Sequence, residues 1–192
     1  MPTRISNNLR LTLWRQGVPR TQWVGWIAAR CELRPDLVRA VVDGSASDDQ
    51  VGDAECSQLA RAIGMTSEAE TLRFADMVGA ECDVLRENLA YLMNALGHGG
   101  KKALAAKFSV DPTTISRWLN GTSQPSEATQ RQLATYFGIP AGTDLRSDPV
   151  FLSLDPVALS ERRQWLVSRL ESLPADELRD LYPALRRMLG PQ

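Results

Sequence analysis

Leu104 to Gly121 read LAAKFSVDPTTISRWLNG, and the alternation of apolar and polar residues in this stretch decides the fold. Leu104, Ala105 and Phe108 give a short first helix one apolar face. Ser109 and Val110 make a turn, with Val110 as its plug. Asp111 is a natural N-cap, since its carboxylate can accept from an amide of the first helical turn. Pro112 fits the first helical position, where the missing N–H would have had no partner. In the second helix Ile115, Trp118 and Leu119 recur at helical spacing and face inward. At about 100° per residue the opposite face carries Thr113, Arg117 and Asn120, flanked by Thr114 and Ser116. That outer face is polar, carries one cation and is rich in donors and acceptors. It suits base edges in a major groove. The plainer alternative is an amphipathic hairpin inside an all-helical core.

The pattern continues on both sides. Downstream, GTSQPSEATQRQLATYFGI (Gly121 to Ile139) supplies a loop, a Ser126 cap and a helix with Leu133, Ala134 and Phe137 inward. Upstream, Leu85 to Leu96 supplies another amphipathic helix. On LAAKF, TTISRWLNG and QLATYFGI, residues 85–145 resemble the lambda-repressor-like (Cro/Xre) helix-turn-helix family. The resemblance implies that Thr113, Thr114, Ser116 and Arg117 approach bases. It implies that Lys101, Lys102, Lys107 and Asn120 bind backbone phosphates, with Gln124 and Arg131 on the rim of the same surface.

The chain also repeats itself. Ile27 to Gly44, IAARCELRPDLVRAVVDG, aligns with the first stretch without a gap at an offset of 77: Pro35 meets Pro112, Val38 meets Ile115, and Asp43-Gly44 meets Asn120-Gly121. Gln58-Leu59-Ala60 then meets Gln132-Leu133-Ala134 at an offset of 74. Two similar helical modules are expected, near 5–65 and 85–145. They differ on the outward face. Where the second has Thr113, Arg117 and Asn120, the first has Asp36, Ala40 and Asp43. Two carboxylates would meet phosphate charge there, although an Asp can accept from a cytosine amino group. Arg34 and Arg39 lie toward the flanks as accessory DNA contacts. The first module is expected to be such an accessory contact or a site for a protein partner.

The formal net charge of −1 hides an uneven distribution. Residues 1–40 carry a local charge of +5, from Arg4, Arg10, Arg15, Arg20, Arg30, Arg34 and Arg39 against Glu32 and Asp36. Residues 41–90 sum to −8, residues 91–140 to +3 and residues 141–192 to −1. The segments 1–40 and 91–140 are therefore locally basic, as phosphate contact requires, and an acidic connector lies between them. No apolar run approaches the length of about 18 residues that spans a bilayer. MPTRISNNLR lacks the apolar core of a signal peptide, so a cytoplasmic location and no membrane partner are expected. Cys31, Cys56 and Cys82 are widely spaced and His98 is the sole histidine, so no metal site or cofactor is expected and the thiols should be free. His98 sits in GHGG, a turn sequence, and no catalytic set can be assembled around it; no enzyme activity is expected.

The expected class is all-α, two lambda-repressor-like helix-turn-helix modules plus a C-terminal helical hairpin. Residues 1–66 form the degenerate first module and 67–84 an acidic helical connector, with Ser67 to Met77 a linking helix ending near Gly79. Residues 85–145 form the DNA-reading domain. From 141 to 156 the chain has Gly142, Pro149, Pro156 and three Asp, so a linker is expected, set at 146–157. In 158–192 a helix capped by Ser160 carries Trp165, Leu166, Leu170 and Leu173 as an apolar stripe. A second helix begins near Pro174 with Leu178, Leu181, Tyr182, Leu185, Met188 and Leu189, and Pro183 should kink or split it. So small a hairpin cannot cover both stripes. Trp165, Leu170, Leu178, Leu181 and Leu185 are therefore the expected dimer interface. Together these readings point to a sequence-specific double-stranded-DNA-binding transcriptional regulator, a repressor acting as a homodimer. The rivals are a protein-interaction adaptor on a helix-turn-helix scaffold and a less specific, chromosome-organising DNA-binding protein.

Overall fold

The structure, a computed structural model, describes residues 3–65, 69–97, 99–155 and 157–190. Helices account for its regular structure, with no strand among the described residues. Ser67, His98 and Pro156 lie outside the described residues, so the Ser67 cap and the His98 turn are not described. The chain divides into two compact units, one ending at Leu154 and one beginning at Asp155.

The first unit opens with α1 (Arg4–Arg15), whose N-cap Thr3 accepts from the Ser6 amide at 3.3 Å. Ile5, Leu9 and Leu13 recur at helical spacing and are fully buried. α2 (Trp23–Ala28) begins in register with the repeat but ends two residues short of it. α3 (Pro35–Asp43) starts with Pro35 in its first turn and stops at Gly44 in the left-handed region, φ 77°. α4 (Asp53–Ala62) and α5 (Ala69–Phe74) follow. Ile5, Leu9, Leu13, Trp23, Ile27, Val38, Val41, Leu59, Ile63 and Leu72 belong to one continuous core.

The expected connector is therefore not a single linking helix. It is split into α5 and α6 (Met77–Glu81), and both pack on α1. Leu72 is fully buried, whereas Phe74 is 64% exposed.

α7 (Val84–Ala95) is capped by Asp83, which accepts from the Arg86 amide at 3.1 Å. After it come α8 (Gly100–Lys107), α9 (Pro112–Leu119) and α10 (Glu127–Tyr136). α9 packs on both α7 and α8. Gly100 is buried where α8 leaves α7, and a Cβ there would overlap that of Leu96. The stretch expected as a linker is also folded: Val150, Phe151 and Leu152 are buried in a 3-10 turn packed on α1 and α7, and Leu145 just before it is buried too.

Two buried asparagines pair the backbone of irregular segments, Asn88 of this stretch and Asn8 of the junction between α5 and α6. Asn88 donates to the carbonyls of Leu145 and Asp148, both at 2.8 Å, and accepts from the Phe151 amide at 3.0 Å. Asn8 donates to Leu72 and Ala75 at 2.9 and 2.7 Å and accepts from Met77 at 3.2 Å. Each thus pairs backbone groups that would otherwise be buried without partners.

Two arginines tie the N-terminal helices to the end of the unit. Arg20 stacks on Trp14 and Tyr91, 5.1 and 4.2 Å from the ring centroids, and donates to the Tyr91 hydroxyl and the Phe151 carbonyl. Arg10 is buried and donates to the Val42 carbonyl at 2.7 Å and to Leu152 at 3.5 Å. Burial holds its pKa below the usual guanidinium value, and Asp43 opposes that effect.

The second unit consists of α11 (Leu159–Glu171) and α12 (Ala175–Leu189), joined by a short connection. Its first N-cap is Ala158 rather than Ser160. α12 continues through Pro183 as one helix, so the split expected there does not occur.

Candidate nucleic-acid interface

α8 and α9 meet through a turn that is closed by backbone bonds. The Phe108 amide donates to Leu104 at 2.9 Å and Val110 to Ala105 at 3.0 Å. Ser109 is in the left-handed region at φ 52°, the sole non-glycine residue there among the described residues. Asp111 caps α9 by accepting from the Thr113 amide at 2.7 Å. The hydrogen bonds from Thr113 hold its carboxyl below the usual carboxylate range. It stays ionised at neutral pH and is committed to the backbone.

The C-terminus of α9 is equally defined. Gly121, at φ 72°, donates to Trp118 at 3.2 Å, and Thr122 donates to Arg117 at 3.0 Å. This pair of bonds is the Schellman motif, which needs a residue free to adopt positive φ. Ile115 and Trp118 are buried, so the helix is locked in rotation. Thr113, Ser116, Arg117 and Asn120 are consequently exposed, and Thr114 is half-buried. Arg117 is the one cation of that face. The Ser116 hydroxyl donates back to Pro112 at 3.4 Å.

Lys101 and Lys102 are exposed in the first turn of α8, which has no acid in it. Gln124 is exposed in the loop before α10, whose Ser126 cap accepts from Thr129 at 3.2 Å. Lys107 and Arg131 are brought together elsewhere. They line a groove with Phe108, Gln132, Thr135 and Tyr136 that includes no residue of α9. Sequence reasoning missed this groove, because Phe108 and Tyr136 read as ordinary members of amphipathic helices.

On α3 the exposed residues are Pro35, Asp36, Arg39 and Asp43, with Ala40 half-buried. Arg34 lies 3.9 Å from Asp36, both about three-quarters exposed at 79% and 74%. Asp43 accepts from the Ser45 amide at 2.9 Å. Glu32, the counterpart of Ser109, has no positive φ, so the tight turn of the α8–α9 pair is not reproduced.

In the second unit Trp165, Leu178 and Leu181 are 44%, 38% and 38% exposed, and Leu170 and Leu185 are half-buried. Leu166, Tyr182 and Met188 extend the exposed apolar surface, as does Val167, which the stripe pattern did not include.

Cys56 is buried, Cys31 and Cys82 are partly so, and none of the three is in a disulfide. Among the described residues no group of three or more His, Cys, Asp or Glu could hold a metal ion, and no helix is long and apolar enough to cross a membrane.

Comparison with known proteins agrees with this geometry. No curated protein and no solved structure matches the chain. Residues 99–143, which span α8, the turn, α9 and α10, match the family model described as helix-turn-helix. Over these residues the chain is thus similar to helix-turn-helix proteins.

Proposed function

We propose that the protein is a sequence-specific double-stranded-DNA-binding transcriptional regulator, a cytoplasmic repressor that acts as a homodimer and catalyses no reaction. The observation that carries this reading is α9. It is fixed at both ends by Asp111 and Gly121, locked by buried Ile115 and Trp118, and presents Thr113, Ser116 and Arg117 outward. A rigid helix with a short polar face is what base readout needs. Thr113, Thr114, Ser116 and Arg117 are assigned to bases. Lys101, Lys102, Asn120 and Gln124 are assigned to phosphates.

The N-terminal helices are read as a second, degenerate copy of the same unit. The left-handed Gly44 and Gly121, the helix-starting Pro35 and Pro112 and the equivalent bonds of Asn8 and Asn88 support this. The Asp36 and Asp43 face suits an accessory role, with Arg34 and Arg39 touching phosphates, or the binding of a protein partner. The hairpin supplies the dimer contact. Its exposed Trp165, Leu166, Leu178 and Leu181 form the kind of apolar patch that marks an interface.

Selection of bound duplexes from a random pool by the purified full chain tests the reading. A palindromic site of two half-sites is expected. Retention of all sequences alike would favour an architectural DNA protein, and no retention at low salt would favour an adaptor.

A further inference from the structure

The groove beside α8 and α10 takes no part in the reading above. It is open, encloses about 550 Å³, and is lined by Lys107, Phe108, Arg131, Gln132, Thr135 and Tyr136. No lining residue belongs to α9, so an occupant need not displace the recognition helix from a duplex. Its apolar surface is aromatic: Phe108 and Tyr136 meet edge to face with centroids 6.0 Å apart. Tyr136 is also edge-on to Phe137 at 5.1 Å, which holds its ring in place. Yet Tyr136 is 44% exposed, while the core of α10 is filled by Leu133, Ala134 and Phe137. The core does not require the tyrosine.

The groove is also of one sign. Lys107 and Arg131 line it and no acid does. Glu127 approaches Arg131 only to 3.9 Å, with both side chains more than 70% exposed (71% and 76%), a pair too solvated to neutralise the cation.

We propose that this groove docks a protein segment that is acidic and carries one aromatic or large aliphatic side chain. The apolar residue packs against Phe108 and Tyr136, and carboxylates on either side meet Lys107 and Arg131. Aromatic contacts of this kind supply most of the binding energy of small interfaces, while complementary charge sets orientation and partner choice. A duplex backbone would satisfy the two cations but offers nothing to the aromatic surface. The partner would thus be held by the regulator while α9 remains free.

Panning a random dodecapeptide library on the full chain tests this, with counter-selection on the chain carrying Lys107→Glu, Arg131→Glu and Tyr136→Ser. All three side chains are exposed, and circular dichroism checks that the variant folds; if it does not, Tyr136→Ser alone replaces it. The enriched peptides should combine Asp and Glu with a Trp, Phe or Leu. They should lose affinity for the variant by about tenfold or more, and should shift the amide resonances of residues 107–108 and 131–136. Absence of enrichment, enrichment of peptides without acids, or equal affinity for the variant would overturn the proposal. So would a duplex-binding salt slope reduced by Lys107→Gln and Arg131→Gln with no peptide bound, which would make the two cations phosphate contacts instead.

Discussion

Asn8 and Asn88 occupy the same position, the fifth residue of α1 and of α7, and each holds two carbonyls and one amide of a segment more than fifty residues further along the chain. Both side chains are essentially inaccessible, at 1% and 0%. Replacing either by Ala leaves buried backbone groups without partners. Asn88→Ala and Asn8→Ala should each cost about 2–4 kcal/mol in urea-induced unfolding. Asn88→Asp should be worse, because a carboxylate would face two carbonyl oxygens. A midpoint unchanged from wild type would contradict the role given to these residues.

The helix-turn-helix was legible in LAAKFSVDPTTISRWLNG because its determinants are local. The Asp111 and Ser126 caps, Pro112 and the apolar spacing all act within a few residues. The repeat offset likewise pointed to Gly44 and Gly121. What was not legible depends on distant partners. Gly, Pro and Asp made 146–157 read as a linker, yet Val150, Phe151 and Leu152 are buried, and Asn88 pairs backbone groups of Leu145, Asp148 and Phe151 from 57–63 positions away. The same holds for Leu72, brought against α1 and α4. The groove at Phe108 and Tyr136 escaped notice for a related reason. An aromatic at a helical position reads the same whether its ring ends inside the core or beside it.

Ser109 accepts a left-handed backbone that its side chain disfavours. Ser109→Gly should remove that strain and raise the unfolding free energy by about 1 kcal/mol, with duplex binding unchanged. Chemical denaturation monitored by tryptophan fluorescence measures it. A destabilised Gly variant would mean that the Ser109 side chain contributes more than its backbone strain costs.

The Asp111 cap makes part of the stability pH-dependent. Its folded pKa is lowered by the hydrogen bonds from Thr113, so the carboxylate contributes stability above its ordinary pKa and loses it as pH falls through the lowered value. Asp111→Ala should therefore lower Tm at neutral pH, and the difference from wild type should shrink as pH falls below the ordinary Asp value of about 3.9. Asp111→Asn, which can still accept from the Thr113 amide, should lie between the two at neutral pH. A Tm difference independent of pH would contradict an ionised cap.

Removing the hairpin should separate folding from association. Truncation after Asp155 leaves the first unit with its own core, and it should remain folded and become monomeric in sedimentation at micromolar concentration. Leu181→Asp in the full chain should act in the same direction, because it places a charge in an apolar contact. A truncated chain that stays dimeric would move the interface to the first unit.

The central claim is that α9, and not α3, reads sequence. Its most direct test is quantitative binding of Arg117→Ala and Arg39→Ala chains to the selected duplex and to its single-base variants, at fixed salt. Arg117→Ala should cost about 1–3 kcal/mol on the selected site and erase the preference at one position of each half-site. Arg39→Ala should weaken all duplexes alike. Specificity lost with Arg39→Ala and kept with Arg117→Ala would contradict the account.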